Sequence, residues 1–566
     1  MNKKIILTLT VLCSYGLVHA DPFTVVRRAN RRFNAELVRN GTADRCVRQD
    51  LAAQPTNGDE QLYEDLRGNF GKGLKQITND TDSSLVDPEA YNSLLFALAT
   101  GNSSDFDKIQ MHLTPAQRKL VTPQAGLDFN LAGPDSWIHS IIAPPAIASA
   151  EKAGEMVEMY EIALLRDFNL SYTAPISFTA QNAINALNAL SDFKGPKEGG
   201  VVTPQTLFRS NIPGATTGNY ISQFLLQNVS FSDTSFLQQY MVQAKNINYL
   251  TTRTGWVDSQ KGINVTAVAP SVGPRYIITP RDLASFVHND AGQLPYIFAL
   301  LILLSWADTD PMNVFDANNP YLGTNSQQAF AEFYTKQLIS LIGMACDMAI
   351  RAAWYQKWFV HRTIRPEYFA WLVDRAKTGT PGFTGILHND VLNSAVTAAN
   401  PAGGSINTFN TNAGEDNWLL PQAYVEGCPL HPTYPAGHAT TAGASVTILK
   451  AFFNEDHPFP QTAVTCQAMQ PNDDGSALTP YAGDPITIGG ELNKLAANIA
   501  YGRNFAGIHY RSDAEESMRL GEKIAISLLE DWAYTMNIDF KGFSLTKFDG
   551  TKITVGTKKV MAGLPR

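Results

Sequence analysis

The chain has 566 residues, more than one compact core accommodates, and 44% of them are apolar, enough to fill a large interior. Its formal charge of -8 at pH 7, from 44 basic and 52 acidic side chains, argues against nucleic acid and anionic membrane as partners. No low-complexity linker divides the sequence, so two intimately packed halves, about 21–280 and 281–566, are expected rather than separable domains.

Met1 to Ala20 carries Lys3 and Lys4, an apolar run from Ile5 to Val18 and small residues before Asp21, the pattern of a secretory signal removed on export to the periplasm or medium. Without it the formal charge becomes -10, because the two lysines leave with it. The N-terminal part, Asp21 to about Asp135, mixes short helical patches with Asn, Gly and Asp turns and carries no catalytic signal. Apolar residues at helical spacing then predict helices over Ala146–Asp167, Gln181–Phe193 and Gln223–Asn246, with Val265–Ile278 as the best strand candidate. Arg281–Trp306 reads as helix interrupted at Pro295, and its apolar run Tyr296–Trp306 is too short for a membrane span, so a buried core helix is expected and no transmembrane segment. A long helical pattern covers Gln327–Trp371, which Pro366 ends or kinks. On such a helix Lys357, His361 and Arg365 step by four and can lean to one side, with His361 read as helix packing or as a residue behind the site. Gly379–Pro429 is loop-rich, Thr441–Phe453, Glu491–Phe505 and Asp513–Tyr534 read as helices, and Asp549-Gly550 marks a hairpin turn within Phe543–Val555. The expected fold is mainly α: two packed helical bundles with a few small β-hairpins, the active site lying in the C-terminal bundle. Cys46, Cys346, Cys428 and Cys466 show no Cys-x-x-Cys spacing, so neither zinc nor haem attachment is suggested. In an exported protein a Cys428–Cys466 disulfide and free buried thiols are equally admissible.

Three stretches carry chemistry. Lys357–Glu367 reads Lys-Trp-Phe-Val-His-Arg-Thr-Ile-Arg-Pro-Glu, His431–His438 reads His-Pro-Thr-Tyr-Pro-Ala-Gly-His, and Gly502–Asp513 reads Gly-Arg-Asn-Phe-Ala-Gly-Ile-His-Tyr-Arg-Ser-Asp. Gly437 and His438 at a helix start offer unpaired N–H groups and the positive end of the helix dipole. Lys357, Arg365 and Arg503 add fixed cations, and guanidinium forks suit a tetrahedral oxyanion such as phosphate or its mimic vanadate.

These blocks resemble the vanadium-dependent haloperoxidases, which share their anion site with type 2 phosphatidic acid phosphatases. The spacing of Lys357 from Arg365, and His431 seven residues before His438, are similar to the algal bromide-oxidising branch. The likeness runs on through Arg281–Val287, Tyr355–Glu367, Phe452–Phe453, Glu491–Ala496 and Lys547–Val555. It implies vanadate as cofactor, hydrogen peroxide, a halide (bromide or iodide) and small organic acceptors as partners, and a homo-oligomer. By resemblance His509 is the metal ligand, Asp513 fixes its tautomer, and Lys357, Arg365, Gly437, His438 and Arg503 hold the oxyanion. His438 is then the acid and base for peroxide, Lys357 polarises it, and His431 and Trp354 border the halide. Ala436 departs from the family's Pro-Ser-Gly-His and leaves the cradle one hydroxyl short. Some relatives hold calcium, but Asp308–Gln328 lacks a dense acidic cluster and calcium is not expected. Two other readings use nearly the same residues: a secreted acid phosphatase with His509 as nucleophile, and a non-catalytic oxyanion binder.

Overall fold

The computed structural model describes residues 35–36, 39–44 and 54–556, apart from 64–73, 76, 78–85, 112–116, 173–175, 232, 264, 266–268, 289–291, 400–403, 460–466, 537 and 539. The signal segment, Cys46 and Cys466 lie outside them. The fold is mainly α. Its principal helices are α1 (Pro88–Thr100), α2 (Ala150–Leu165), α3 (Phe178–Asn188), α4 (Pro280–Phe286), α5 (Leu294–Ala307), α6 (Thr335–Tyr355), α7 (Pro366–Lys377), α8 (Gly437–Phe452), α9 (Ile488–Ala506) and α10 (Arg511–Thr535). Four two-stranded antiparallel sheets accompany them among the described residues: β1 (Val229–Phe231) with β2 (Thr234–Phe236), β3 (Tyr240–Gln243) with β4 (Ser271–Arg275), β5 (Met469–Pro471) with β6 (Leu478–Pro480), and β7 (Phe543–Thr546) with β8 (Lys552–Val555).

Capping residues set several of these boundaries. Ser149 and Ser177 accept from Lys152 and Ala180 to start α2 and α3, and Thr279 forms a capping box with Asp282 at α4. Pro295 stands in the first turn of α5 rather than interrupting a longer helix, since a proline costs nothing where the N–H has no partner. The helix expected over Gln223–Asn246 is instead a 3-10 turn at Gln223–Leu225 followed by β1, β2 and β3. Ser230, Thr234, Ser235 and Phe236 disfavour helix there, and β1–β2 closes with Val229 opposite Phe236. Asp549-Gly550 makes the turn of the β7–β8 hairpin, with Gly550 at φ +84.

α8 is the central element. It lies against α6, α9 and α10, and all but two of its residues are buried. Its small residues bring backbones together: a Cβ on Gly443 would meet the Met518 carbonyl at 2.1 Å, and one on Gly521 would meet that of Thr440 at 2.0 Å. The glycines of α8 and α10 thus interlock, and the small residues after His438 serve helix packing. Thr335–Lys377 is long and apolar enough to cross a membrane by length and composition, yet it is interrupted at Arg362 (φ 41) and half of its most apolar window is buried inside the protein. Cys346 is buried with its sulfur 3.0 Å from Ser445 Oγ, and Cys428 is a buried thiol without a disulfide among the described residues, while Cys466, its expected alternative partner, lies outside them.

Candidate active site

Lys357 and Arg365 do not share one helical face with His361. α6 widens at its C-terminus into a π-helical segment, Gln356–His361, which Arg362 closes in the left-handed region. Arg365 then precedes α7, whose first residue is Pro366. The proline fixes the break, because an α-helical Thr363–Pro366 would clash with the ring. The two cations nevertheless converge on the His431–Ala436 loop. Lys357 Nζ donates to the carbonyls of Pro432 (2.6 Å) and Thr433 (2.8 Å). Arg365 donates from Nε to the His431 carbonyl (3.0 Å), from one terminal nitrogen to the Ile508 carbonyl (2.7 Å) and His509 Nε2 (3.1 Å), and from the other to His431 Nδ1 (3.0 Å). His361 goes elsewhere. It is buried edge-on against Tyr434, 4.9 Å between ring centroids, and neither ring nitrogen has a hydrogen-bond partner in the protein.

The loop delivers Ala436 and Gly437 to the start of α8, with His438 the second residue of that helix. No side chain caps this terminus, so its first N–H groups and the dipole face the site. The Ala436 N–H donates to Ser517 Oγ (2.7 Å), while the Thr440 hydroxyl is turned back onto the Ala436 carbonyl (2.9 Å). Gly437 is closely packed: a Cβ would meet Ile350 Cδ1 at 2.7 Å and the Trp354 ring at 3.1 Å, so both side chains would have to shift. Trp354 in turn lies over His431, 4.8 Å between centroids, and donates its indole N–H to the Val121 carbonyl (3.0 Å).

His509 sits between α9 and α10 rather than on a helix with Asp513; Gly507 (φ 94) ends α9, and Asp513 lies in the first turn of α10. Asp513 Oδ2 accepts from His509 Nδ1 (2.7 Å), from the Tyr510 N–H (3.1 Å) and from the Thr433 hydroxyl, which also lies 3.1 Å from His509 Nδ1. The proton on Nδ1 therefore leaves the Nε2 lone pair directed at the cations. Arg503, in the last turn of α9, donates from one terminal nitrogen to the Val287 carbonyl (2.9 Å) and more weakly to the Tyr424 hydroxyl (3.5 Å); its Nε is buried with no protein partner.

Charge crowding governs the electrostatics. Burial, and then Arg365 and Arg503, pull Lys357 well below the usual lysine range against the opposing pull of Asp513. Burial also holds His509 well below the usual imidazole range, assisted by Arg365, Lys357, Arg503 and His438, and it does the same to His431, assisted by Lys357, Arg365 and His509. Both imidazoles are kept neutral. Burial lifts Asp513, with Lys152 and the Thr433 hydroxyl opposing. Two guanidinium groups and Lys357 thus crowd around neutral imidazoles, an electrostatic setting that favours an anion.

A family model for the second helical-bundle domain of the VCPO type matches residues 337–537, the span that contains every residue of this constellation from Trp354 to Asp513. Over 93% of this chain and 98% of the relative, the sequence is 30% identical to the vanadium-dependent bromoperoxidase of Corallina officinalis. This chain belongs to the vanadium-dependent bromoperoxidase family. The bromoperoxidase of Ascophyllum nodosum is 32% identical over 82% of each chain. A second vanadate-dependent bromoperoxidase of that alga, solved as a homohexamer, superposes with a TM-score of 0.83 at 27% identity, covering 94% of this chain and 91% of that one.

The family's oxyanion fits the residues found here. The orphaned Arg503 Nε, the uncapped start of α8 and the third N–H of Lys357 all remain for it, and His509 Nε2 supplies a neutral nitrogen. All the residues expected at the site are brought into this one region, Ala436 included. Others were not legible. Thr433 and Ser517 orient Asp513 and the start of α8. Lys75 reaches Glu367 (2.7 Å) and the Cys428 carbonyl (2.7 Å), and Glu367 accepts from the Cys428 N–H (2.9 Å), which ties α7 to the segment before His431. A lone threonine or lysine carries no local sign of such contacts, since Lys75 and Cys428 lie 353 residues apart.

Proposed function

We propose that this chain binds vanadate and catalyses oxidation of bromide, and of iodide, by hydrogen peroxide, with small organic acceptors halogenated by the product. The balance is peroxide, halide and one proton giving hypohalous acid and water, the halide losing two electrons as the O–O bond breaks. The observation that carries the reading is Arg365 at His509 Nε2 (3.1 Å), with Lys357 and Arg503 near enough to act electrostatically on that imidazole and Arg503 Nε left unpartnered. His509 would ligate the metal, and Arg365, Arg503, Lys357 and the N–H groups of Gly437 and His438 would hold the oxygens. When bound, vanadate supplies a Lewis acid that makes peroxide electrophilic. Lys357, already poor in proton affinity, donates a hydrogen bond to the incoming oxygen. His438, at the uncapped helix start, takes and returns the peroxide proton. His431 and Trp354, packed ring on ring, border the halide.

Like the homohexameric relative, the chain would assemble with copies of itself, and it would be exported with cleavage after Ala20. The test of function is to reconstitute metal-free protein with orthovanadate and follow peroxide-dependent bromination of a phenolic dye, with iodide and chloride in parallel. Phosphate should compete with vanadate and fail to sustain turnover. Full peroxidase activity without vanadium would overturn the reading, and hydrolysis of a phosphate ester by the vanadium-free protein at a higher rate would favour the phosphatase.

A further inference from the structure

Arg503 is held by an aromatic brace that reaches the surface. Its guanidinium lies over the Tyr424 ring, 5.4 Å from the centroid, and donates to the Val287 carbonyl. The Tyr424 hydroxyl donates to the Ala284 carbonyl (2.7 Å), which fixes the ring and leaves its oxygen lone pairs toward Arg503. The neighbour of Val287, His288, stacks on Tyr424 with centroids 3.8 Å apart and planes 10° apart. His288 Nε2 meets Glu426 Oε1 at 2.7 Å, and both side chains are about one-third exposed or less (30% and 26%), whereas Tyr424 is fully buried. Val287 and His288 thus grip the guanidinium and the ring that carries it. Of the three site cations Arg503 has the one orphaned nitrogen, and a long side chain with several rotatable bonds loses affinity when its head is not pre-aimed.

We propose that Tyr424, braced by the His288–Glu426 pair, is a positioning residue for Arg503 and thereby sets the affinity of the site for its oxyanion. The proposal rests on the oxyanion-site reading above, and its test measures anion binding rather than turnover. Inorganic phosphate and orthovanadate would be titrated calorimetrically into vanadium-free wild type, Tyr424→Phe, Tyr424→Leu, His288→Ala and His288→Phe, with circular dichroism to confirm folding. A cation over an aromatic face contributes enough that loss of the ring should weaken either anion roughly tenfold or more. Tyr424→Leu and His288→Ala are expected to show that loss, and Tyr424→Phe and His288→Phe, which keep the rings, to stay within about threefold. His288 is partly exposed, so His288→Ala keeps the test alive if Tyr424→Leu does not fold.

The decisive arm repeats His288→Ala in an Arg503→Ala background, where the brace has nothing left to aim. There it should change phosphate and vanadate affinity less than about twofold. An equal loss with and without Arg503, or unaltered binding in folded His288→Ala and Tyr424→Leu, would overturn the brace. Wild type that binds both anions but oxidises no halide would overturn the proposed function and leave the brace standing.

Discussion

Replacing Ala436 by serine restores the hydroxyl of the family pattern at a position whose surroundings fix its value. Ala436 is the N-cap of α8, in extended conformation (φ -78, ψ 122), and its side chain makes no cap. Its own N–H is already donated to Ser517 Oγ, and the Thr440 hydroxyl is donated to its carbonyl, so neither of these two donors is left to replace the missing one. A serine oxygen there can accept from an N–H of the first turn, which stabilises a helix by about 1 kcal/mol. Its proton stays free for the oxyanion, and a hydrogen bond to a charged group contributes about 1.5 to 3 kcal/mol, or roughly one to two powers of ten in Kd. Ala436→Ser should therefore raise the unfolding midpoint of the vanadium-free protein and tighten vanadate about ten- to hundredfold. Both are measured in phosphate-free buffer, the second by titrating vanadate and following recovered bromide oxidation. A higher midpoint with unchanged vanadate affinity would mean that the hydroxyl only caps the helix and does not face the anion. Thr440→Val in either background should leave the affinity alone, because that hydroxyl is spent on the backbone.

Further expectations concern the imidazoles and their supports. His509→Ala should abolish vanadium retention on desalting, while His438→Ala should retain the metal and lose turnover; equal vanadium loss in both would refute the division of roles. Thr433→Val removes a donor from the carboxylate that orients His509, and should weaken vanadate roughly tenfold by direct titration, with an unchanged affinity counting against a role for Thr433 in orienting Asp513. His361 is held near a pKa of about 3 by burial and by Arg362, against 6.5 ordinarily. The native state then refuses a proton that the unfolded chain accepts, so stability is intact above about pH 6.5 and falls as pH drops toward 3, by about 2 kcal/mol at pH 5. His361→Phe should reduce the drop in denaturation midpoint between pH 7 and pH 5, and identical pH dependence in mutant and wild type would contradict this assignment.

Much of the architecture was written locally. Helix periodicity placed α2, α8, α9 and α10 within a few residues of their observed ends, and the hairpin at Asp549-Gly550 followed from its turn chemistry, because these signals act between residues less than two turns apart. The chemistry was local too: three cations, two imidazoles and a glycine-bounded helix start name an oxyanion whatever fold presents them. What the sequence could not determine is how those groups meet. The step-by-four reading of Lys357, His361 and Arg365 failed because a π-helical segment and the break before Pro366 decide which side chains converge, and His361 was left in the core. The small residues after His438 serve helix contact, Gly443 against Met518 and Thr440 against Gly521 of α10, which no pattern within α8 reveals. Thr433, Ser517, Tyr424 and Lys75 acquire their roles only across tens or hundreds of residues, where packing of the tertiary fold, and not local propensity, selects the neighbour.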